Sequence, residues 1–213
     1  MSRNVKQAPP KLANKAARKP DRRVRRSREV LGDALVKLMH EQPFEDITVK
    51  HILDRAEVSR STFYTHFSDK NDLFLSDAEE FFEMMSQYLS HHDSASRRVA
   101  PVREMFTHLA EWRPFYDAMV AAGKIQDVME IGEECFARGI AQRLKEIAGR
   151  KTGTTTRARS TKNSVQPSAT PEARMLAGAL TSLMSWWIHA GQVFSPAQMD
   201  DRYHNLVWSG IVT

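Results

Sequence analysis

Residues 44–73, FEDITVKHILDRAEVSRSTFYTHFSDKNDL, constrain this chain more than any other stretch. Thr48 is an N-cap residue, its hydroxyl placed to accept a bond from an amide of the following turn. Val49, Ile52, Leu53 and Ala56 then recur at helical spacing. Glu57 and Val58 make a turn, and Ser59 caps a second helix that runs to Phe67. Ser68 caps a third, ahead of Asp69, Lys70 and Leu73. Three caps within about twenty residues require short helices meeting at steep angles, which is the pattern of a helix-turn-helix.

The helix from Ser59 has two distinct faces. At about 100° per residue, Phe63 and Phe67 share one face and point to a small core with Ile52, Leu53 and Val58. Ser61, Thr62 and Thr65 lie opposite, flanked by Tyr64 and His66, with Arg60 at the N-terminus. That outer face is short, uncharged and rich in hydroxyls. It lets a helix lie deep in a DNA major groove and bond base edges and phosphates without steric conflict.

These residues carry a resemblance. Thr48, Ile52, Ala56, Val58, Ser59, Thr62, Phe63, Tyr64, His66, Phe67, Lys70 and Leu73 look like the DNA-binding domain of the TetR/AcrR family of bacterial transcription regulators. The dense part of the match spans residues 26–75; the remainder fits the family in length, helical content and terminal helix pair. The family usually has Gly where this chain has Glu57. That position tends to want a positive φ, so Glu57 carries a local cost of about 1 kcal/mol. The DNA-contacting set expected is Arg26, Thr48, Ser59, Arg60, Ser61, Thr62, Tyr64, Thr65, His66 and Lys70.

Charge supports an anionic partner. The net charge is +5 and the pI about 9.4. The excess is concentrated before position 30, where Arg22, Arg23, Arg25, Arg26 and Arg28 follow a run of earlier lysines and arginines. Residues 1–21 hold Pro9, Pro10 and Pro20 and almost no large apolar side chain, and read as a disordered basic arm. The arm is either a solvated tail or an element that tracks DNA phosphates. Cys135 is the single cysteine, which rules out an internal disulfide and fits a reducing cytoplasm. No signal-peptide pattern and no membrane-spanning apolar run are seen.

The expected architecture is all-α: the basic arm (1–21), a three-helix DNA-binding domain (22–72), and a helical effector-binding and dimerisation domain (73–213). The first helix spans Arg22–Glu41, with Leu31, Leu35, Leu38 and Met39 as its core stripe. A long helix from Ser68 to about Ser90 connects the two domains. Shorter helices follow at 102–112 and 114–123, then a longer one at 125–148. Residues 149–170 are rich in Thr, Ser and basic residues without apolar period, and read as a flexible loop, either a solvated insertion or a second DNA-tracking element. Thr170 and Pro171 open the next helix, and Ser195 with Gln198 forms a capping box for the last.

Two apolar helices at the end of the chain suggest a symmetric dimer closed as a four-helix bundle, and the resemblance implies the same. The expected interface is Leu176, Leu180, Leu183, Trp187, Met199, Tyr203 and Leu206. The middle helices carry many large soft side chains. The resemblance implies an effector cavity there, assigned to Phe82, Met105, Trp112, Phe115, Met119, Phe136 and Trp187, with His108, Tyr116 and His189 as unranked polar candidates.

An enzyme is disfavoured. Cys135 lies on an apolar helical stripe, where an inert buried thiol is the commoner case. No phosphate loop or dinucleotide turn is present, and the adjacent His91 and His92 beside Asp93 diverge too much to share a metal. No cofactor or metal is expected. The reading is a dimeric regulator of a palindromic DNA operator, a repressor released by a small-molecule effector. The alternative is a co-regulator or activator on the same scaffold.

Overall fold

A computed structural model describes residues 22–151, 169–191 and 193–210. The basic arm and positions 152–168 of the expected loop lie outside the described residues. Those that are described form nine α-helices and one short 3-10 turn, with no strand. The helices are α1 (Arg22–Glu41), α2 (Val49–Ala56), α3 (Arg60–His66), α4 (Lys70–His92), α5 (Val102–Glu111), α6 (Arg113–Ala121), α7 (Ile125–Lys151), α8 (Pro171–His189) and α9 (Pro196–Gly210). Helix α7 therefore runs about a turn into the segment expected to be loop.

The N-terminal unit folds as its caps dictate. The Thr48 hydroxyl accepts from the His51 amide at 3.2 Å, and the Thr48 amide donates back to His51 Nδ1 at 3.4 Å. The Ser59 hydroxyl accepts from the Thr62 amide at 3.2 Å. The third cap is Asp69, one residue beyond the expected Ser68. Its carboxylate accepts from the Asp72 amide, while Ser68 instead donates its amide and hydroxyl to the Asp72 side chain. A carboxylate is the better acceptor at a positive helix N-terminus, and that moves the start of α4 to Lys70.

Leu31, Leu35, Ile47, Ile52, Phe63 and Leu73 are all but fully buried and close a core among α1, α2, α3 and the start of α4. Glu57, at the α2–α3 turn, has φ 54° and ψ 37°. The left-handed geometry expected for this non-glycine residue is present.

The remaining helices pack on α4 and α7. Helix α4 runs along α7, α7 along α8, and α5 along α9. The α4–α7 approach is close at Gly139, where an added Cβ would lie 2.6 Å from the Ser86 carbonyl oxygen. Arg143 on α7 is buried and donates to the carbonyls of Asp93, Ser94, Ser96 and Arg98. One guanidinium thus gathers four carbonyls of the α4–α5 connection, reinforced by Arg150 on the Ser94 and Ser96 carbonyls and by the Ser96 amide on that of Asp93. The Ser195–Gln198 capping box forms as expected, with reciprocal bonds of 2.9 and 3.3 Å.

Candidate functional site

The first candidate surface is the outer face of α3. Arg60, Ser61, Tyr64 and Thr65 are exposed, and Tyr64 is exposed to 49% although its ring edge meets Phe63. The Arg60 guanidinium lies 5.6 Å from the Tyr64 ring centroid, which holds the two side chains together at the start of the helix. The hydroxyls are already ordered within the protein. Ser59 bonds Ser61 at 3.0 Å and Thr62 at 2.8 Å, and Thr65 donates to the Ser61 carbonyl at 2.8 Å. The Thr65 hydroxyl, its proton committed, turns acceptor lone pairs outward, which suit an amino group on a base edge. Thr48 and Ser59 serve as helix caps, Arg26 is exposed on α1, and His66 is half-buried.

Lys70 requires a correction. Its ammonium donates to the carbonyls of Phe44 (2.7 Å), Glu45 (3.0 Å) and Ile47 (2.8 Å), and lies 4.6 Å from the Phe44 ring centroid. All three ammonium protons are engaged. Lys70 therefore ties the 3-10 turn to α4 and has no donor left for a phosphate. Sequence spacing could not show this, because the acceptors are backbone groups some twenty-five residues away.

The second candidate site is a cavity of about 420 Å³. Its wall combines α4 (Phe74, Asp77, Ala78, Phe81, Phe82), α5 (His108), and α6 with the residue before it (Trp112, Phe115, Tyr116, Met119). Val128 of α7 adds to it, and α1 closes it with Asp33, Leu35, Val36, Lys37 and His40. Of the expected lining, Phe82, Trp112, Phe115 and Met119 are present. Met105, Phe136 and Trp187 are not; they are buried in the adjoining core, Phe136 against Phe82 and Trp187 against Phe106. Apolar periodicity marks a buried face but does not say whether that face borders space or other side chains. The α1 residues were missed because their polar members read as solvent-facing.

Three of the titratable groups lining this space are shifted by their surroundings. Burial pulls His108 down to about 4, so its ring is neutral at neutral pH. Burial also raises Tyr116 well above the usual phenol range. Asp77 is pushed up to about 7, first by burial and then by the neighbouring Glu80, with Arg28 opposing and Asp33 adding to the rise. His108 stacks on the aromatic wall, 4.5 Å from Phe81 and 5.8 Å from both Trp112 and Tyr116.

The expected dimer residues also need correction. Leu176, Leu180, Trp187, Met199 and Tyr203 are buried within the protomer, where Tyr203 donates to the Leu176 carbonyl at 2.8 Å and Trp187 to that of Phe194 at 2.9 Å. They face inward and cannot reach a second chain as placed. Leu206 is 70% exposed, Leu183 is half-buried, and Met175 and Trp186 are exposed at 66% and 44%.

Among the described residues, no group of His, Cys, Asp and Glu is arranged to hold a metal, and no helix is long and apolar enough to cross a membrane. Cys135 is buried, and burial raises its pKa.

Residues 31–76 match the sequence family described as bacterial regulatory proteins, tetR family. Three solved structures share the fold over nearly the whole chain. The dihydroxyacetone kinase operon activator DhaS is 17% identical, with 87% of this chain and 96% of that one covered and a TM-score of 0.61. A putative TetR-family regulator from Syntrophomonas wolfei is 16% identical, with coverages of 89% and 98% and a TM-score of 0.56. The fatty acid degradation regulator FadR from Bacillus halodurans is also 16% identical, with coverages of 92% and 99% and a TM-score of 0.53. No curated protein sequence matches. The 31–76 match marks a helix-turn-helix domain similar to that of the tetR-family regulators. The likeness to the tetR family in sequence is carried by residues 31–76, and the solved structures extend a shared fold over the rest of the chain.

Proposed function

We propose that the protein is a dimeric, sequence-specific regulator whose operator affinity is set by an effector in the α1–α4–α6 cavity. The observation that carries this reading is the shared wall. Helix α1 belongs to the helix-turn-helix unit, yet it supplies five of the residues that enclose the cavity. An occupant therefore touches the DNA-binding unit directly, and a ligand that fits one α1 position better than another shifts the balance between them.

On this reading α3 enters the major groove with Arg60, Ser61, Thr62, Tyr64 and Thr65 toward the bases and phosphates, while Arg26 and the basic arm add backbone contacts. The dimer forms through the outer faces of α8 and α9, where Met175, Leu183, Trp186 and Leu206 offer apolar surface. Two recognition helices then meet half-sites about 34–36 Å apart or a multiple of that. Repression relieved by ligand is the mode proposed. Activation is the second reading, since DhaS, which shares the fold, is an operon activator.

The test is selection of random duplex DNA by the purified full-length protein at moderate salt, followed by sequencing. An inverted repeat is expected. Absence of enrichment from folded protein would overturn the sequence-reading role.

A further inference from the structure

The cavity has one feature that its apolar wall does not account for. Asp77 places a carboxyl group among Phe74, Phe81, Phe82, Trp112 and Phe115. Among the described residues no hydrogen-bond donor or ion-pair partner engages it; Arg28, Glu80 and Asp33 act on it only through space. The Arg28 guanidinium is committed elsewhere, bonded to the Ser76 hydroxyl and set 5.0 Å from the Phe67 ring centroid. The carboxyl instead rests against the Cα of Gly32, where a Cβ would lie 2.0 Å from its oxygen. That close approach seats Asp77 on α1. An ionised carboxylate in such surroundings is costly unless a cation joins it.

The remaining polar groups narrow the choice further. His108 is neutral, and Tyr116 keeps its phenol proton, so neither supplies positive charge. Among the lining residues Lys37 is the one with a fixed positive charge, and it is exposed, as is His40. Asp33 adds a second carboxylate at that rim. Aromatic faces around a carboxylate are the arrangement that stabilises a desolvated ammonium, through ring quadrupoles and ion pairing together. An anionic head group would meet two carboxylates instead.

Resting on the reading of this cavity as the effector site, we infer that its ligand is an apolar organic cation, a protonated amine or quaternary ammonium with an aromatic or alkyl body. The ammonium pairs with Asp77, and the body lies between the α4 and α6 rings. Because Asp77 is seated on Gly32, the cation reports to α1, and so to the helix-turn-helix, without an intermediary.

Three probes of similar shape separate the possibilities: 4-phenylbutylamine, 4-phenylbutanol and 4-phenylbutyrate, titrated by calorimetry into the full-length protein at pH 8. The amine is expected to bind at least about tenfold more tightly than the alcohol, and the butyrate most weakly. Asp77→Asn should remove the amine's advantage over the alcohol, with a circular-dichroism spectrum matching the parent's to exclude simple unfolding. Equal affinity for amine and alcohol, or an amine preference that survives Asp77→Asn, would refute the carboxylate's role while the cavity reading stands. If none of the three binds, the cavity reading fails and this inference fails with it.

Discussion

Asp77 makes a stability prediction that is independent of any ligand. Its carboxyl is held at about 7 against an ordinary value of 3.8, first because burial disfavours the charged form. The folded state therefore keeps a proton that the unfolded chain has already lost. Folded pKa above unfolded pKa means that, for an acid, stability is highest below the unfolded value and declines as pH rises toward the folded value. The window is from about pH 4 to about pH 7. At about 1.36 kcal/mol per pH unit, the whole decline amounts to about 4 kcal/mol, and the part between pH 5 and pH 8 to about 2.5 kcal/mol. Asn resembles the protonated acid in shape and cannot ionise. Asp77→Asn should thus stabilise the protein at both pH values, and by about 2.5 kcal/mol more at pH 8 than at pH 5. Other carboxylates titrate too, among them Asp72 and Asp200, whose pKa values are lowered and whose contributions have the opposite sign. The quantity to measure is therefore the difference between variant and parent. Urea unfolding at the two pH values and one protein concentration supplies it, and the melting temperatures should separate by roughly 2–4 °C per kcal/mol. A variant-minus-parent difference that is flat with pH would show that Asp77 titrates normally and that the cavity does not hold it protonated.

Other perturbations test the frame around the two sites. Glu57→Gly should raise stability by about 1 kcal/mol, because a non-glycine residue at φ 54° bears a steric cost that glycine does not; an unchanged or lower urea midpoint would remove that strain argument. Gly139→Ala should lose about 1–3 kcal/mol, because the new Cβ meets the rigid Ser86 carbonyl at 2.6 Å and α4 and α7 must separate; the urea midpoint reads this directly. Tyr64→Ala should weaken operator binding by about 1 kcal/mol, roughly fivefold, with helicity unchanged, since the side chain is half-exposed and carries little of the core. Deleting residues 2–20 should flatten the salt dependence of DNA binding through fewer released counterions, and an unchanged slope would return the arm to a solvated tail.

The sequence by itself determined the local structure. Thr48, Ser59 and Thr170 cap their helices as their hydroxyls allow, the Ser195–Gln198 box closes, and the leucine stripe of α1 points inward. Each rests on chemistry within one or two turns, which spacing alone encodes. The positive φ at Glu57 was expected from the resemblance alone, because the family usually has Gly at that turn position.

Tertiary packing decided what the apolar stripes face. Trp187 and Tyr203 carry the periodicity of an interface, yet they fill the protomer's own core and leave Met175 and Leu206 on the surface. Lys70 reads as a phosphate contact and instead binds three carbonyls of its own domain. The cavity unites residues from α1 and α4 to α7, so no window of sequence contains it, and Asp77 matters only because Gly32 and the aromatic rings are brought to it. Hydrophobic burial is non-directional: periodicity says that a face leaves water, and only the assembled helices settle what takes the water's place.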